Sequence, residues 1–350
     1  MPARSADNCD MHLFRFIQEY QMKILITGGA GYIGSTICLA LADAGHQPVI
    51  LDEQALPANE TYNKFSYYQG DIADKHLLTQ IIGAHPDLSL VIHCAAKIDV
   101  AESISHPSIY YENNFSKSIS MVSHLLDLGV KKLILSGTAA LYSADNAHSF
   151  DEHAPPTPMS PYARSKYFLE LALKDISNTK DFQFLIFRYF NPIGSDHTFR
   201  TGFRGSNKSS LLNSLIQCAT FRQPFQINGT DWNTRDGSTV RDFVDVADLA
   251  AAHVLAALAF DNNSLAVPLN QFEMPVINLG SQRGVTVQEF VSAFMSATKS
   301  DLVVNRAERR PGDIVGGYAS SRLARELLGW APSTSLQTSI LNSIRWASTL

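Results

Sequence analysis

The chain has 350 residues, with 28 Lys and Arg against 33 Asp and Glu, and a net charge of −5. That acidic balance excludes a nucleic-acid partner, and 45% hydrophobic with 17% charged residues excludes a disordered chain. Four cysteines without a CxxC pair exclude a disulfide framework and a metal site, and no apolar run reaches the ~20 residues that cross a bilayer, so a cytoplasmic protein without membrane contact is expected.

Residues 1–21 carry no motif and read as a flexible N-terminal extension. Lys23–Thr27 is an apolar run ended by Gly28 and Gly29, a strand buried on both faces. Ile33–Ala44 has helical spacing with Gly45 as its stop. Pro48–Leu51, Phe65–Tyr68, Leu90–Cys94, Lys132–Ser136 and Phe182–Tyr189 are further strands, mostly separated by helical stretches. Such alternation predicts an α/β fold with a Rossmann-type, doubly wound parallel sheet. After about Asn191, Gly- and Ser-rich loops replace it, with helices over Ser209–Thr220, Val246–Ala259, Val287–Ala297 and Arg322–Leu328. Val276–Leu279 reads as a strand returning to the main sheet. The division expected is residues 22–190 for dinucleotide binding and 191–350 for a smaller substrate-binding lobe.

Thr27-Gly-Gly-Ala-Gly-Tyr-Ile-Gly34 follows a strand and opens a helix, with Gly28, Gly31 and Gly34 spaced as a dinucleotide fingerprint. The glycines permit a tight turn, close approach of a pyrophosphate and close helix packing, and the helix N-terminus favours the phosphates. Asp52 ends the second strand about 20 residues later, where a carboxylate binds ribose hydroxyls and repels a 2′-phosphate, so NAD is favoured over NADP. Asp71 has two readings, a contact to adenine or the N-cap of a helix starting near Ala73. Tyr162 and Lys166 lie four apart on one helical face. A nearby ammonium stabilises a phenolate, which makes the pair a general base, although such pairs also occur on solvated helices. Thr138 stands just past a central strand, either bridging a substrate oxygen or capping a turn.

Together these segments resemble the extended short-chain dehydrogenase/reductases, and within them the branch that epimerises UDP-sugars. The resemblance also rests on Val91-Ile-His-Cys-Ala-Ala96, Tyr110-Tyr-Glu-Asn-Asn114, Arg188-Tyr-Phe-Asn-Pro-Ile-Gly194, Val240-Arg-Asp-Phe243 and Arg309-Arg-Pro-Gly-Asp313. It implies a catalytic trio of Thr138, Tyr162 and Lys166. It implies cofactor contacts at Tyr32, Ile33, Asp52, Asp71, Ile72, Ala95, Asn114, Tyr162, Lys166 and Phe190. It implies substrate contacts at Asn191, Ser210, Leu211, Arg241, Arg310 and Asp313.

The activity implied is NAD-dependent epimerisation of UDP-hexoses at C4 through a 4-keto sugar, by a homodimer. Lys166 is expected to lower the phenol pKa. Ala139 and Ala140 replace the acidic pair of related dehydratases, and retention of Tyr162 and Lys166 speaks against a non-catalytic NAD-binding regulator. Three positions depart from the pattern. Ile98 stands where a cofactor-contacting lysine is expected, Phe243 and Asp245 replace Tyr and His, and Ser210 replaces Asn. Four places after Asp313, Gly317 takes the place of a bulky residue that restricts the sugar pocket, which implies that UDP-N-acetylhexosamines also fit. The alternative is that Gly316 and Gly317 form a plain turn, and a shift of one residue would put Tyr318 at that place.

Overall fold

The computed structural model describes residues 21–56, 61–143, 148–204, 210–262, 274–309 and 314–350. The expected contribution of residues 1–21 lies almost wholly outside them. Among the described residues no helix is long and apolar enough to cross a membrane.

Seven strands form one parallel sheet in the order Val276–Leu279, Gln183–Tyr189, Lys132–Thr138, Leu88–His93, Lys23–Thr27, Gln47–Asp52, Ser66–Gln69. Alternate residues of each strand feed two separate apolar layers, because successive side chains of a strand leave opposite faces. Ile24, Ile26, Ile50, Ile92, Leu185 and Ile277 pack on one face with Ile37 and Leu41 of the Tyr32–Asp43 helix and Leu249 and Ala256 of the Val246–Asp261 helix. Leu25, Val49, Val91, Leu133, Phe184 and Val276 pack on the other with Leu78, Met121, Leu169 and Leu173, from the Lys75–Ala84, Lys117–Asp127 and Pro161–Thr179 helices. The strand order turns back between Lys23–Thr27 and Leu88–His93, which opens a crevice at their carboxyl ends.

Two strands run longer than their apolar cores suggest. Lys132–Thr138 extends past Ser136 because Gly137 and Thr138 pair with Arg188 and Tyr189. Leu88–His93 starts early because Leu88 pairs with Lys23 across a register shift. The helix expected from Ser209 runs over Leu211–Phe221, with Ser210 at its N-cap.

A third apolar cluster gathers Ile193, Leu215, Phe243, Phe290, Phe294 and Ile340. It is tied to the sheet by polar groups. Asp242 is fully buried and accepts N–H groups from Ser281, Gln282 and Ala319. Asp245 caps the Val246–Asp261 helix through Ala247 N–H and takes the Ser339 hydroxyl at 2.6 Å. Phe243 packs on Phe290 at 4.1 Å between ring centres. Those contacts supply a physical role for both departures, Phe243 and Asp245, in anchoring the C-terminal Leu336–Ala347 helix and its neighbours.

Candidate active site

The crevice begins at the fingerprint. Gly28 has a left-handed backbone (φ +72°), and a Cβ there would lie 2.6 Å from Ala95 N; a Cβ on Gly34 would lie 2.2 Å from Gly28 O. The turn therefore sits directly on the loop after the Leu88–His93 strand, where Ala95 was expected. At Gly31 a Cβ would meet only Gly28 O, at 3.2 Å. Gly31 is the N-cap of the Tyr32–Asp43 helix and supplies no side-chain cap, so this helix end offers N–H groups and positive potential to a diphosphate. Ile33 is half-buried in the helix's first turn, packed on the core. Asp52 is buried and accepts N–H from Ala30 and Gln54, each at 2.9 Å, which ties the glycine turn to the end of the second strand. A glycine cradle, an open helix end and a carboxylate at the neighbouring strand end fit a dinucleotide.

Asp71 is not a helix N-cap. Asp74 caps the Lys75–Ala84 helix, accepting from His76 and Leu77 N–H, because the helix starts later than expected. Asp71 instead accepts Ala73 N–H at 2.8 Å and pairs with Lys117. Burial raises its pKa, but the Lys117 bond and the Ala73 N–H outweigh this and hold it below the ordinary value. Ile72 beside it is buried. Asn114 sits in a π-helical turn, Glu112–Ser116, and binds the Lys97 backbone and the Ser165 hydroxyl. Ile98 follows on the same loop and is 59% exposed.

The catalytic candidates converge at the carboxyl end of Lys132–Thr138. Ser160 caps the Pro161–Thr179 helix through Ala163 N–H, with Pro161 in its first turn. This start places Tyr162, Lys166 and Glu170 along one buried face. Thr138 plays the capping part, accepting Ala140 N–H at 3.1 Å, with its hydroxyl near the Tyr162 phenol. Burial raises the Tyr162 phenol above its ordinary value, and the nearby Thr138 hydroxyl opposes that. Burial also pushes the Lys166 ammonium, one turn further along the helix, down to about 8. Tyr110 meets the Tyr162 ring edge-on at 6.4 Å.

Beside this trio lies a cavity of about 590 Å3 whose wall includes Tyr32, Ile98, Asn191, Ser210, Leu211 and Arg241. Thr138, Tyr162 and Lys166 are outside that wall, whereas Asn191, Ser210, Leu211 and Arg241, expected as substrate contacts, are on it. Asn191 is fixed by two bonds to Asp242 O, both 2.9 Å. Arg241 Nη1 is braced by the carbonyls of Val240 (2.8 Å), Val315 and Ile314. The Tyr32 hydroxyl donates to Gly194 O at 2.8 Å, joining the fingerprint helix to the cavity. Phe190 stacks on Tyr142 at 6.3 Å. Arg310 and Asp313 lie outside the described residues.

Gly317 is buried and starts a strand, Gly317–Ala319, paired in parallel with His148–Phe150. It is not part of a plain turn. Gly316 before it carries the positive φ, +86°, and a Cβ there would strike Val240 O and Arg241. The Tyr318 ring lies against Gly284, where a Cβ would come within 2.7 Å of it.

Sequence reasoning missed the polar groups behind the site. His93 is buried between the hydroxyls of Thr27 (2.6 Å) and Ser118 (2.9 Å), and burial pushes it down to about 3, so it is neutral. Arg188 and Glu170 form a buried ion pair. Neither has a local signal, since each partner is remote in sequence.

A family model, the NAD dependent epimerase/dehydratase family, matches residues 24–268. The chain is 36% identical over 328 residues to the UDP-glucose 4-epimerase of Rhizobium meliloti (strain 1021), covering 93% of this chain and 97% of that protein. The solved UDP-glucose 4-epimerase from Stenotrophomonas maltophila, with bound NAD and formylated UDP-arabinopyranose, matches with a TM-score of 0.86 at 30% identity, over 94% of this chain and 98% of that one. The UDP-Glc/GlcNAc 4-epimerase of Campylobacter jejuni matches with a TM-score of 0.76 at 29% identity, over 94% and 100%. These matches span the parallel sheet and the residues gathered at its carboxyl edge, and the chain belongs to the NAD dependent epimerase/dehydratase family.

Proposed function

We propose that the protein interconverts UDP-hexoses at C4, UDP-glucose with UDP-galactose, using bound NAD. The observation that carries this reading is the convergence of Thr138, at the end of the Lys132–Thr138 strand, with the buried helix face that presents Tyr162 and Lys166. Gly28, Gly31, Gly34 and Asp52 hold the dinucleotide, and NAD supplies the acceptor and donor for the C4 hydrogen when bound. Tyr162 takes the proton of the 4-hydroxyl, and Thr138 holds the reacting oxygen in line with the phenol. Lys166, charged below about pH 8, keeps positive charge beside the base. The 4-keto sugar turns about its phosphate linkage so that C4 takes its hydrogen back on the other face, while Tyr162 returns the proton to the C4 oxygen.

In this reading residues 22–190 carry the cofactor and residues 191–350 supply most of the substrate wall, with Asn191, Ser210, Leu211 and Arg241 joined by Arg310 and Asp313. The separate apolar cluster of Ile193, Phe243 and Phe290 supports that division. Gly317 leaves room for a 2-acetamido group, and packing of the Tyr318 ring on Gly284 supports Gly317 as the residue that faces the sugar. The similarity to a UDP-Glc/GlcNAc 4-epimerase points the same way.

The working form is a homodimer. Ile104 (63% exposed), Ile109, Phe168 and Leu171 leave apolar surface on adjoining helices, and Tyr111 stacks on Phe168 at 6.0 Å. Free Cys38, Cys94 and Cys218 suit the cytoplasm. The test is purified protein incubated with UDP-glucose and with UDP-N-acetylglucosamine, followed by chromatographic resolution of the C4 epimers. Both epimers are expected; conversion of neither sugar overturns the reading.

A further inference from the structure

Directly beneath Lys166 lies the buried ion pair. Glu170 is one helical turn further on, with Lys166 and Glu170 at 2% and 0% exposure. Its two carboxylate oxygens take Nε (3.3 Å) and Nη2 (2.6 Å) of Arg188, itself 3% exposed. Arg188 reaches Glu170 from the Gln183–Tyr189 strand, and Gly137 opposite it makes room, since a Cβ there would lie 3.3 Å from Arg188 Cγ. The third guanidinium arm donates to the Tyr142 hydroxyl at 2.8 Å, and that hydroxyl donates to Asn278 at 2.9 Å. The pair therefore joins the helix of Tyr162 to the strand end of Thr138 and, through Tyr142, to the Phe190 ring.

The groups around Lys166 are few. From the end of the Leu88–His93 strand come His93, neutral above about pH 3, and Cys94, whose thiol burial pushes up to about 12. Neither carries charge near neutral pH. Burial raises the phenol of Tyr162 on the same helix, and Arg188 faces Lys166 only across Glu170. Among the described residues Glu170 is the carboxylate acting on the buried ammonium; burial raises its own pKa, and the two-point bond from Arg188 opposes that rise. We propose that Glu170, clamped by Arg188 one helical turn from Lys166, is a positioning residue that favours the charged form of Lys166 beside Tyr162. The inference rests on the functional reading above for its catalytic consequence, while its electrostatic core stands apart from it.

The test compares wild type, Glu170→Gln and the double variant Glu170→Gln/Arg188→Met. The single variant leaves a buried guanidinium unpaired and is prone to unfold, whereas the double variant removes the guanidinium together with its carboxylate. Two readouts are taken on NAD-loaded protein. One is the titration of Lys166 by NMR of 13Cε-labelled lysine, assigned with Lys166→Met. The other is the pH profile of kcat with UDP-glucose. In the double variant the Lys166 titration is expected to fall by about one pH unit or more, with the alkaline limb of kcat falling equally and activity recovering toward pH 6. An unchanged Lys166 titration overturns the inference, as does a loss of kcat that is uniform across pH. If the titration moves but wild type converts no UDP-sugar, the inference stands and the functional reading falls.

Discussion

Asn114 grips both backbone polar groups of Lys97. Its Oδ1 accepts the Lys97 N–H at 2.8 Å and its Nδ2 donates to the Lys97 carbonyl at 2.9 Å. The remaining amide hydrogen goes to Ser165, on the helix between Tyr162 and Lys166. One buried side chain thus sets the loop that faces the fingerprint and couples it to the catalytic helix.

Replacing Asn114 with Leu is expected to cost about 2–3 kcal/mol, because two buried backbone groups lose their partners. Thermal melting measures the loss. The variant should also release NAD on gel filtration where wild type retains it, since the loop against Gly28 loosens.

Tyr162→Phe should lower kcat by about 10²–10⁴-fold, the usual cost of losing a general base. Bound NAD should be unaffected, because no fingerprint contact is changed. Turnover near that of wild type would remove Tyr162 from its role.

Asp52→Ala removes the acceptor for the Ala30 and Gln54 N–H groups. NAD retention should fall at least tenfold, and discrimination against NADP should weaken with the loss of the carboxylate. Denaturing the purified variant and analysing the released dinucleotide checks both.

Lys166 costs stability where it is charged. Its ammonium is held at about 8 against an ordinary 10.5, so between those values the unfolded chain binds the proton more readily than the folded one. Stability therefore rises with pH across that window, and below about pH 8 the burden is full, on the order of 3 kcal/mol. Lys166→Met should abolish turnover yet melt about 5 °C higher at pH 7, with the gain gone near pH 10.5. Differential scanning calorimetry at the two pH values decides it.

Phe168→Glu should lower the mass seen in sedimentation from dimer to monomer, since the charge would have to be buried between subunits. An unchanged mass would leave the apolar helix surface without the role proposed for it.

Much of the sheet was legible because buried parallel strands are nearly continuous apolar runs, as in Lys23–Thr27 and Phe184–Phe187. The fingerprint was legible because its glycines answer to local geometry. What escaped were carboxylates serving distant backbone. Asp242 collects N–H groups of Ser281 and Ala319, and Asp248 holds those of Ser333 and Thr334. A sequence window shows only an aspartate after an apolar stretch, and the recipients lie in another part of the chain. The helix ends slipped for a related reason. Asp71 and Asp74 are chemically equal candidates for a cap; Asp74 takes the cap, while Asp71 pairs with Lys117, which belongs to a later helix.

The placement of Val276–Leu279 at the rim of the sheet has a consequence during synthesis. It pairs with Gln183–Tyr189, so a growing chain completes the strand beside Thr138 long before its outer neighbour leaves the ribosome. Until then Phe184, Ile186 and Tyr189 lie on an open rim with unpaired backbone, a surface on which a second nascent chain can add. Slow translation between those two strands lengthens that exposure, and the yield of native protein should follow the speed at which the intervening segment is made.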